Sequence, residues 1–270
     1  MNLNTIVAVK RPKSFEEIEW RDGHAFLGGG TWLFSEPQVN TDTLVDLQKF
    51  GWPALTATKD GLEIAATCKI VELHDFQGPP DWKAVPLFDK CIDSFLMSFK
   101  IWNAATVGGN VVMSLPAGAM VSLTAALEGV CTLWPQNGQP RQVPVVDFVT
   151  GMHTNALQKG ELLRSIFLPV SALRKRAAMR QVSLTRYGRS AALIVATVND
   201  NGEDFLLTVS AATPRPIHLR FKKTPSATEL HQAIDQRLPP DAWFNDVHGS
   251  AAYKRHVTFY LAEQIRAELS

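Results

Sequence analysis

Cysteine is scarce: Cys68, Cys91 and Cys131 are the only three in 270 residues, and no two form a Cys-x-x-Cys pair. An odd, widely spaced set excludes both a disulfide framework and a four-thiolate iron–sulfur site, so all three are expected to be small buried hydrophobes. Long apolar runs are missing too. None reaches the roughly 18 residues of a membrane span, and Lys10, Arg11 and Lys13 interrupt the N-terminal segment before any signal-like core forms. A cytoplasmic protein is expected. Neither sign of charge dominates, with 27 Lys and Arg against 26 Asp and Glu, and basic residues do not interleave with aromatics as a nucleic-acid stacking platform requires. His153 and His218 lack cysteine or acidic neighbours at metal-ligand spacing, and no Ser/His/Asp grouping or carboxylate pair stands out, so no catalytic and no metal-binding residue is assigned.

What is present is an ordinary globular composition, 46% hydrophobic and 20% charged, of a length that suits two compact lobes or one elaborated domain. Two glycine runs stand out from it: Leu27-Gly28-Gly29-Gly30-Thr31-Trp32 and Ala105-Thr106-Val107-Gly108-Gly109-Asn110. Without a Cβ, consecutive glycines can adopt positive φ and point successive N–H groups at one anion. Each run alone is equally well a turn. Together they could hold one diphosphate-bearing cofactor. A dinucleotide fingerprint is excluded, because Gly28-Gly29-Gly30 is not Gly-x-Gly-x-x-Gly and Trp32-Leu33-Phe34 crowd the place of the third glycine.

Around these runs the pattern predicts a short strand at Val7–Val9 and a helix starting at the Ser14-Phe15-Glu16-Glu17 capping box. Buried parallel-type strands are predicted at 25–27 and 44–47, and a further unit starts at Leu62–Ala66. Leu87, Phe88, Cys91, Ile92, Phe95, Leu96 and Phe99 recur at helical spacing and predict one helix leading to the second glycine run. Ala117–Leu127 reads as a helix, Val130–Leu133 and Leu162–Leu168 as strands, and Val143–Phe148 as a short strand or loop. Beyond Pro169 the texture changes to three longer strands (178–184, 191–198, 205–211) with a turn at Asp200-Asn201-Gly202, then helices over 226–238 and about 250–269. An α+β layout with a boundary near residue 169 follows. Charge shifts there as well: residues 1–163 carry 12 Lys and Arg against 17 Asp and Glu, and 164–270 carry 15 against 9. Seven basic residues and no acid lie between Arg164 and Arg189, which reads as a solvated surface, a docking face for an acidic partner, or the lining of an anion site.

The ordered landmarks Leu-Gly-Gly-Gly-Thr (27–31), Leu-Val-Asp-Leu (44–47), Leu-Glu-Ile-Ala-Ala (62–66), Ala-Thr-Val-Gly-Gly-Asn (105–110) and Gly-Glu-Leu-Leu-Arg-Ser-Ile-Phe-Leu-Pro (160–169) span most of the chain. They resemble the FAD-binding medium subunit of the molybdenum hydroxylases, the carbon monoxide dehydrogenase and xanthine dehydrogenase family. The resemblance implies a two-part FAD domain of the vanillyl-alcohol-oxidase type over 1–169, with subdomains of about 1–54 and 55–169. A C-terminal domain over 170–270 would carry a three-stranded antiparallel sheet and helices. It also implies noncovalent FAD. Leu27, Gly28, Gly29, Gly30, Thr31, Trp32 and Leu33 match the family's first FAD loop, and Thr106, Val107, Gly108, Gly109 and Asn110 its second. Leu163 falls at an apolar flavin or adenine contact, and Arg180 at a position where members often carry a basic residue beside the cofactor.

Three positions depart from the family pattern. Ala119 stands where members carry an acid that hydrogen-bonds the cofactor, a loss of about 1.5–3 kcal/mol, or on the order of ten- to a hundredfold in affinity; FAD binding is still expected. Trp102 replaces an arginine, and Gly188-Arg189-Ser190 an Asp-containing segment. The role implied is electron relay: a molybdopterin-containing large subunit oxidises substrate, an iron–sulfur small subunit carries the electrons, and this chain passes them to an external acceptor. The alternatives are a self-sufficient FAD oxidase or reductase of the same fold and a degenerate, non-enzymatic scaffold.

Overall fold

In the computed structural model, which describes residues 3–95 and 97–270, three sheets and a hairpin organise the chain. Strands β1 (Ala8–Lys10), β2 (His24–Leu27) and β3 (Thr43–Asp46) pair in parallel in the order β1-β3-β2. Leu44 and Val45 bury the central strand, and β2 runs directly into Gly28, so this sheet delivers the first glycine loop at a strand's C-terminal end. The helix expected from Ser14 does not form. Phe15–Glu17 is a single 3-10 turn, Ser14 makes no cap bond, and the Glu17 carboxylate accepts from the N–H of Lys13 at 2.9 Å instead of closing the reciprocal box on Ser14.

A five-stranded antiparallel sheet follows, built from β4 (Leu55–Thr58), β5 (Gly61–Ala65), β6 (Val130–Trp134) and β7 (Arg141–Pro144). The small hairpin β8 (Val149–Gly151) and β9 (Thr154–Asn155) precedes its central strand β10 (Leu162–Pro169), and the sheet order is β4-β5-β10-β6-β7. Five helices fill the excursion between β5 and β6: α1 (Ile70–His74), α2 (Pro86–Asp93), α3 (Phe99–Trp102), α4 (Val107–Met113) and α5 (Ala119–Ala126). The single helix expected from Leu87 to Phe99 is therefore two. The Ser94 hydroxyl turns back onto the Cys91 carbonyl at 2.6 Å and ends α2, Phe99 is 70% exposed, and Leu96 lies outside the described residues. The Val143–Phe148 segment divides into the end of β7 and one helical turn, α6 (Val145–Phe148).

After one more turn, α7 (Val170–Leu173), the chain forms a four-stranded antiparallel meander, β11 (Arg176–Val182), β12 (Ala192–Val198), β13 (Glu203–Ser210) and β14 (Ile217–Lys223). The expected sheet had three strands. The fourth alternates Ile217, Leu219 and Phe221 with His218, Arg220 and Lys222, the pattern of a half-covered edge strand. The turn at residues 199–203 forms as expected, with Gly202 at φ +77°. Helices α8 (Ala227–Arg237) and α9 (Ala251–Leu269) cover one face, Ser226 and Ser250 capping them.

Strand β12 is buried along its whole length because it serves two cores. Leu193 and Val195 join Met120, Leu123 and the five-stranded sheet, while Ile194, Ala196 and Val198 face Leu230, Ile234, Leu261 and Ile265 of α8 and α9. Helix α5 lies between the two sheets with all eight residues buried. A charge cluster adds a second tie: the nearly enclosed Lys175 ammonium bonds Glu128 at 3.0 Å and Asp204 at 2.7 Å, and Arg220 closes onto both carboxylates. These partners hold Asp204 down to about 2, the Arg220 hydrogen bond leading. They also hold Glu128 below its ordinary value, because the bonds from Arg220 and Lys175 outweigh burial.

Candidate cofactor cleft

The two glycine runs, about 75 residues apart in sequence, touch. A Cβ on Gly28 would lie 2.9 Å from the Thr106 hydroxyl oxygen, and one on Gly29 would collide with the Ala104 carbonyl oxygen. Gly30 sits at φ +74°, with the Phe34 ring packed where a side chain would be. Only glycine fits this junction. The loops border a cleft of about 740 Å³, within the size range of small-molecule and cofactor sites.

Every residue of the expected first loop, Leu27 to Leu33, lines this cleft. Among the described residues no intramolecular acceptor is found for the N–H groups of Gly29, Gly30 or Thr31. Donors left open at a solvent-filled cleft fit an anion such as a diphosphate. The second loop is different. From Val107 onward its N–H groups are taken: Val107 donates to the Cys68 carbonyl (2.8 Å), Gly108 to Ala66 (3.1 Å), Gly109 to the Thr106 hydroxyl (3.0 Å) and Asn110 to the Thr106 carbonyl (3.0 Å).

Thr106, Gly109 and Asn110 line the cleft, whereas Val107 is fully buried and Gly108 packs so closely on Ala66 that a Cβ would strike its Cα. Asn110 Oδ1 accepts from the N–H of Met120 at 3.0 Å and so holds an orphan donor of the α5 N-terminus. Its amide NH₂ and the Thr106 O–H are left to donate.

The two remaining expected residues lie elsewhere. Leu163, on β10, is 2% exposed and packed in the core, and Arg180 donates to the Met179 carbonyl and pairs with Glu268. The basic run from Arg164 to Arg189 likewise does not form one face. Arg174 pairs with Asp81, Lys175 with Glu128 and Asp204, and Arg176 bonds the Leu269 carbonyl. Arg164 lies 4.2 Å from the centre of the Trp52 ring. Among the described residues, Arg186 and Arg189 alone of the seven contact only aromatic rings, those of Tyr187 and Trp32.

Of the rest of the cleft, sequence reasoning touches only Gly188-Arg189-Ser190, as a departure from the family pattern. Arg189 and Ser190 come from the β11–β12 connection, Met152 and His153 from the tip of the β8–β9 hairpin, and Phe244 to His248 from the segment before α9. The hairpin tip is fixed by the His153 N–H to the Ser114 carbonyl (3.0 Å) and by Asn155 Nδ2 to the Val112 carbonyl (2.8 Å). Trp32 consequently stands with the His153 ring 5.7 Å from its own and the Arg189 guanidinium 6.0 Å from its centre. Phe95, Ile101, Val112, Met113 and Leu115 supply apolar wall. Ala119 is fully buried in the core, so α5 sends no carboxylate to the cleft, and the acid among the lining residues is Asp246. Trp102 packs on His74 away from the cleft, its indole N–H buried without a partner among the described residues.

Comparison with known proteins agrees with this geometry. No curated protein matches the sequence, but a chain of quinoline 2-oxidoreductase from Pseudomonas putida 86 shares the fold, with a TM-score of 0.79 at 17% identity over 97% of this chain and 96% of that one. Chains of carbon monoxide dehydrogenase from Hydrogenophaga pseudoflava (0.80, 18%, 96% of each) and Oligotropha carboxidovorans (0.77, 20%, 96% and 97%) share it as well. The family model of the FAD-binding domain in molybdopterin dehydrogenase matches residues 6–171. The glycine cradle, its open donors and the apolar walls fit that cofactor, and the chain belongs to this family of FAD-binding oxidoreductase subunits.

Proposed function

We propose that this chain is the electron-transfer subunit of a molybdenum-hydroxylase-type complex, taking electrons from iron–sulfur clusters on a partner and passing them to an external acceptor. The convergence of both glycine loops on one cleft carries the reading. FAD, when bound, supplies the redox chemistry, exchanging electrons singly or in pairs. The residues of this chain hold and orient it: Gly29, Gly30 and Thr31 through main-chain N–H groups at the diphosphate, Thr106 and Asn110 through side-chain donors, and the walls by excluding water. The three cysteines support clusters lying on a partner. Each is a separate, buried free thiol, and no two share the Cys-x-x-Cys spacing of a cluster site; burial pushes Cys68 and Cys131 up to about 12 and Cys91 higher still. A division into a cofactor domain over 1–169 and a C-terminal domain over 170–270, with the family model ending at residue 171, and a cytoplasmic location belong to the same proposal; among the described residues no helix is long and apolar enough to cross a membrane.

The test is reconstitution. The isolated chain is expected to bind FAD without its visible absorption being bleached by organic substrates, and bleaching is expected only after a molybdenum-containing large subunit and an iron–sulfur small subunit are added. Full turnover of an organic substrate by the isolated chain overturns the proposal. It would instead favour a self-sufficient oxidase or reductase, a reading that His153 and His248 support because both lie on the cleft lining.

A further inference from the structure

Lys254, on the first turn of α9, is fully enclosed at 0% exposure. Burying an ammonium is costly unless it is paired and bonded, and an unbranched apolar side chain would fill the same space without that cost. The partners account for the charge. Lys254 Nζ donates to Asp246 Oδ1 at 2.9 Å and to the Ala211 carbonyl at 3.3 Å, and lies 5.0 Å from the centre of the Phe244 ring. Asp246, Ala211 and Phe244 all line the cleft, so the ammonium sits directly behind its wall.

Each partner is tied further. Ala211, held at φ +63°, donates its N–H to the Pro116 carbonyl at 2.8 Å; the Ala212 carbonyl accepts from Phe244 at 2.9 Å; and Asp246 Oδ1 also accepts from the His248 N–H at 2.8 Å. One buried cation thus joins two segments distant in sequence, the turn after β13 and the 244–249 loop, at the point where both form wall. The loop also closes on itself, Asp246 and Gly249 exchanging backbone bonds at 3.3 and 3.2 Å and Asn245 Oδ1 accepting from the Ala251 N–H at 3.3 Å, but Val247 at its tip is 87% exposed, and Lys254 is the side chain that ties it to the turn after β13.

We propose that Lys254 is a positioning residue for the cofactor cleft, its ammonium clamping the 244–249 loop to Ala211 so that FAD meets a preformed wall. The inference rests on the reading of this cleft as the FAD site. It is tested on the full chain without FAD, titrated with FAD by flavin fluorescence, with amide hydrogen exchange followed in parallel. Lys254→Met is expected to weaken FAD binding ten- to a hundredfold and to change the visible circular dichroism of the bound flavin. It should speed exchange at least tenfold in residues 244–249 of the apo chain while the amides of β11–β14 exchange as before; faster exchange throughout the sheet would mark a merely structural role and overturn the proposal. If Lys254→Met does not fold, Asp246→Asn decides: three- to tenfold weaker binding supports the clamp and unchanged binding overturns it. Gly29→Val separates the two layers of the argument. Should it abolish FAD binding while Lys254→Met binds within twofold of the native chain, the clamp is wrong and the cleft stands; should Gly29→Val bind FAD normally, the cleft assignment itself fails.

Discussion

The first glycine loop leaves the N–H groups of Gly29, Gly30 and Thr31 open at the cleft and packs closely on Ala104 and Thr106, while the second has the N–H groups of Val107 to Asn110 engaged internally and uses its glycines for packing on Ala66 and Thr106. Both runs look alike as sequence. They teach that a glycine cluster answers two separate needs, donor presentation and close approach, and that only the hydrogen-bond inventory of the surrounding backbone tells which. The first loop leaves a strand and enters a turn, so its donors have no helix or ladder to join. The second enters α4, where Thr106 caps the Gly109 N–H and the segment before α1 takes the N–H groups of Val107 and Gly108.

The sharpest way to break this contrast is Gly29→Val. Its side chain would collide with the backbone of Ala104 and Ala105, which cannot yield as a flexible side chain could, so the loops must separate and the donors lose their aim. FAD affinity is expected to fall at least a hundredfold, on the order of 3 kcal/mol or more, read by fluorescence titration. A change below fivefold would remove the first loop from the site.

Gly108→Ala is the matching perturbation of the second loop, with the opposite signature. The added methyl falls on the Ala66 backbone, and overpacking of this kind costs about 1–3 kcal/mol of stability. Urea denaturation should show that loss, and the folded fraction should bind FAD within threefold of the native chain. If affinity drops as far as in Gly29→Val with stability intact, the two loops share the donor role after all.

How much of this was legible beforehand depended on whether the signal was local. The first loop, the parallel strands beside it and the two capped C-terminal helices follow from short-range pattern, and all formed near their expected bounds. Ser14 failed because a capping box needs the acid to return to the cap residue, and Glu17 reaches Lys13 instead. β14 is not among the expected strands, although Ile217, Leu219 and Phe221 alternate; Pro214 and Pro216 stand before it and charges lie within it. Of the cleft, His153, Asp246 and His248 carry no sequence signature, and Arg189 shows only within a departure from the family pattern and within the basic run. They come from three separate turns that only tertiary packing assembles, and the basic run is not one unit because Arg174, Lys175 and Arg180 find carboxylates contributed by distant segments.

Thr106→Val sharpens the account of the second loop at smaller scale. It removes the oxygen that accepts from Gly109 and caps α4, a change typically worth about 1 kcal/mol, and also one donor facing the cleft. Thr106→Ser keeps both. Stability measured by thermal denaturation should fall in the valine variant and recover in the serine variant; loss of FAD affinity beyond tenfold in the valine variant would raise Thr106 from a cap to a principal ligand.

The smallest expected effect concerns pH and again separates the two halves. His24, on the strand that feeds the first loop, is buried with neither ring nitrogen bonded among the described residues, and burial first, then Lys10 and Arg21, push its pKa down. His218, beneath the second half, is pushed down by burial against the opposing bond to the Ala125 carbonyl. A histidine whose folded pKa lies below its unfolded value of about 6.5 leaves stability intact above that value. Stability is then lost as pH falls through the lowered one, because the unfolded chain binds the proton more readily. Asp204, held to about 2, and the lowered Glu128 release their contributions only at more acid pH. The melting temperature should therefore decline between pH 7 and 5 through the histidines, with a shallower slope in His24→Phe, whose ring suits the Trp20 and Phe26 surroundings. The residual slope combines His218 with an opposing contribution from His74, whose pKa is raised by its bond to Asp75 so that it adds stability as pH falls. If His24→Phe leaves the slope untouched, the imidazole beside the first loop is protonated without penalty, and that loop's strand is more open to water than its burial indicates.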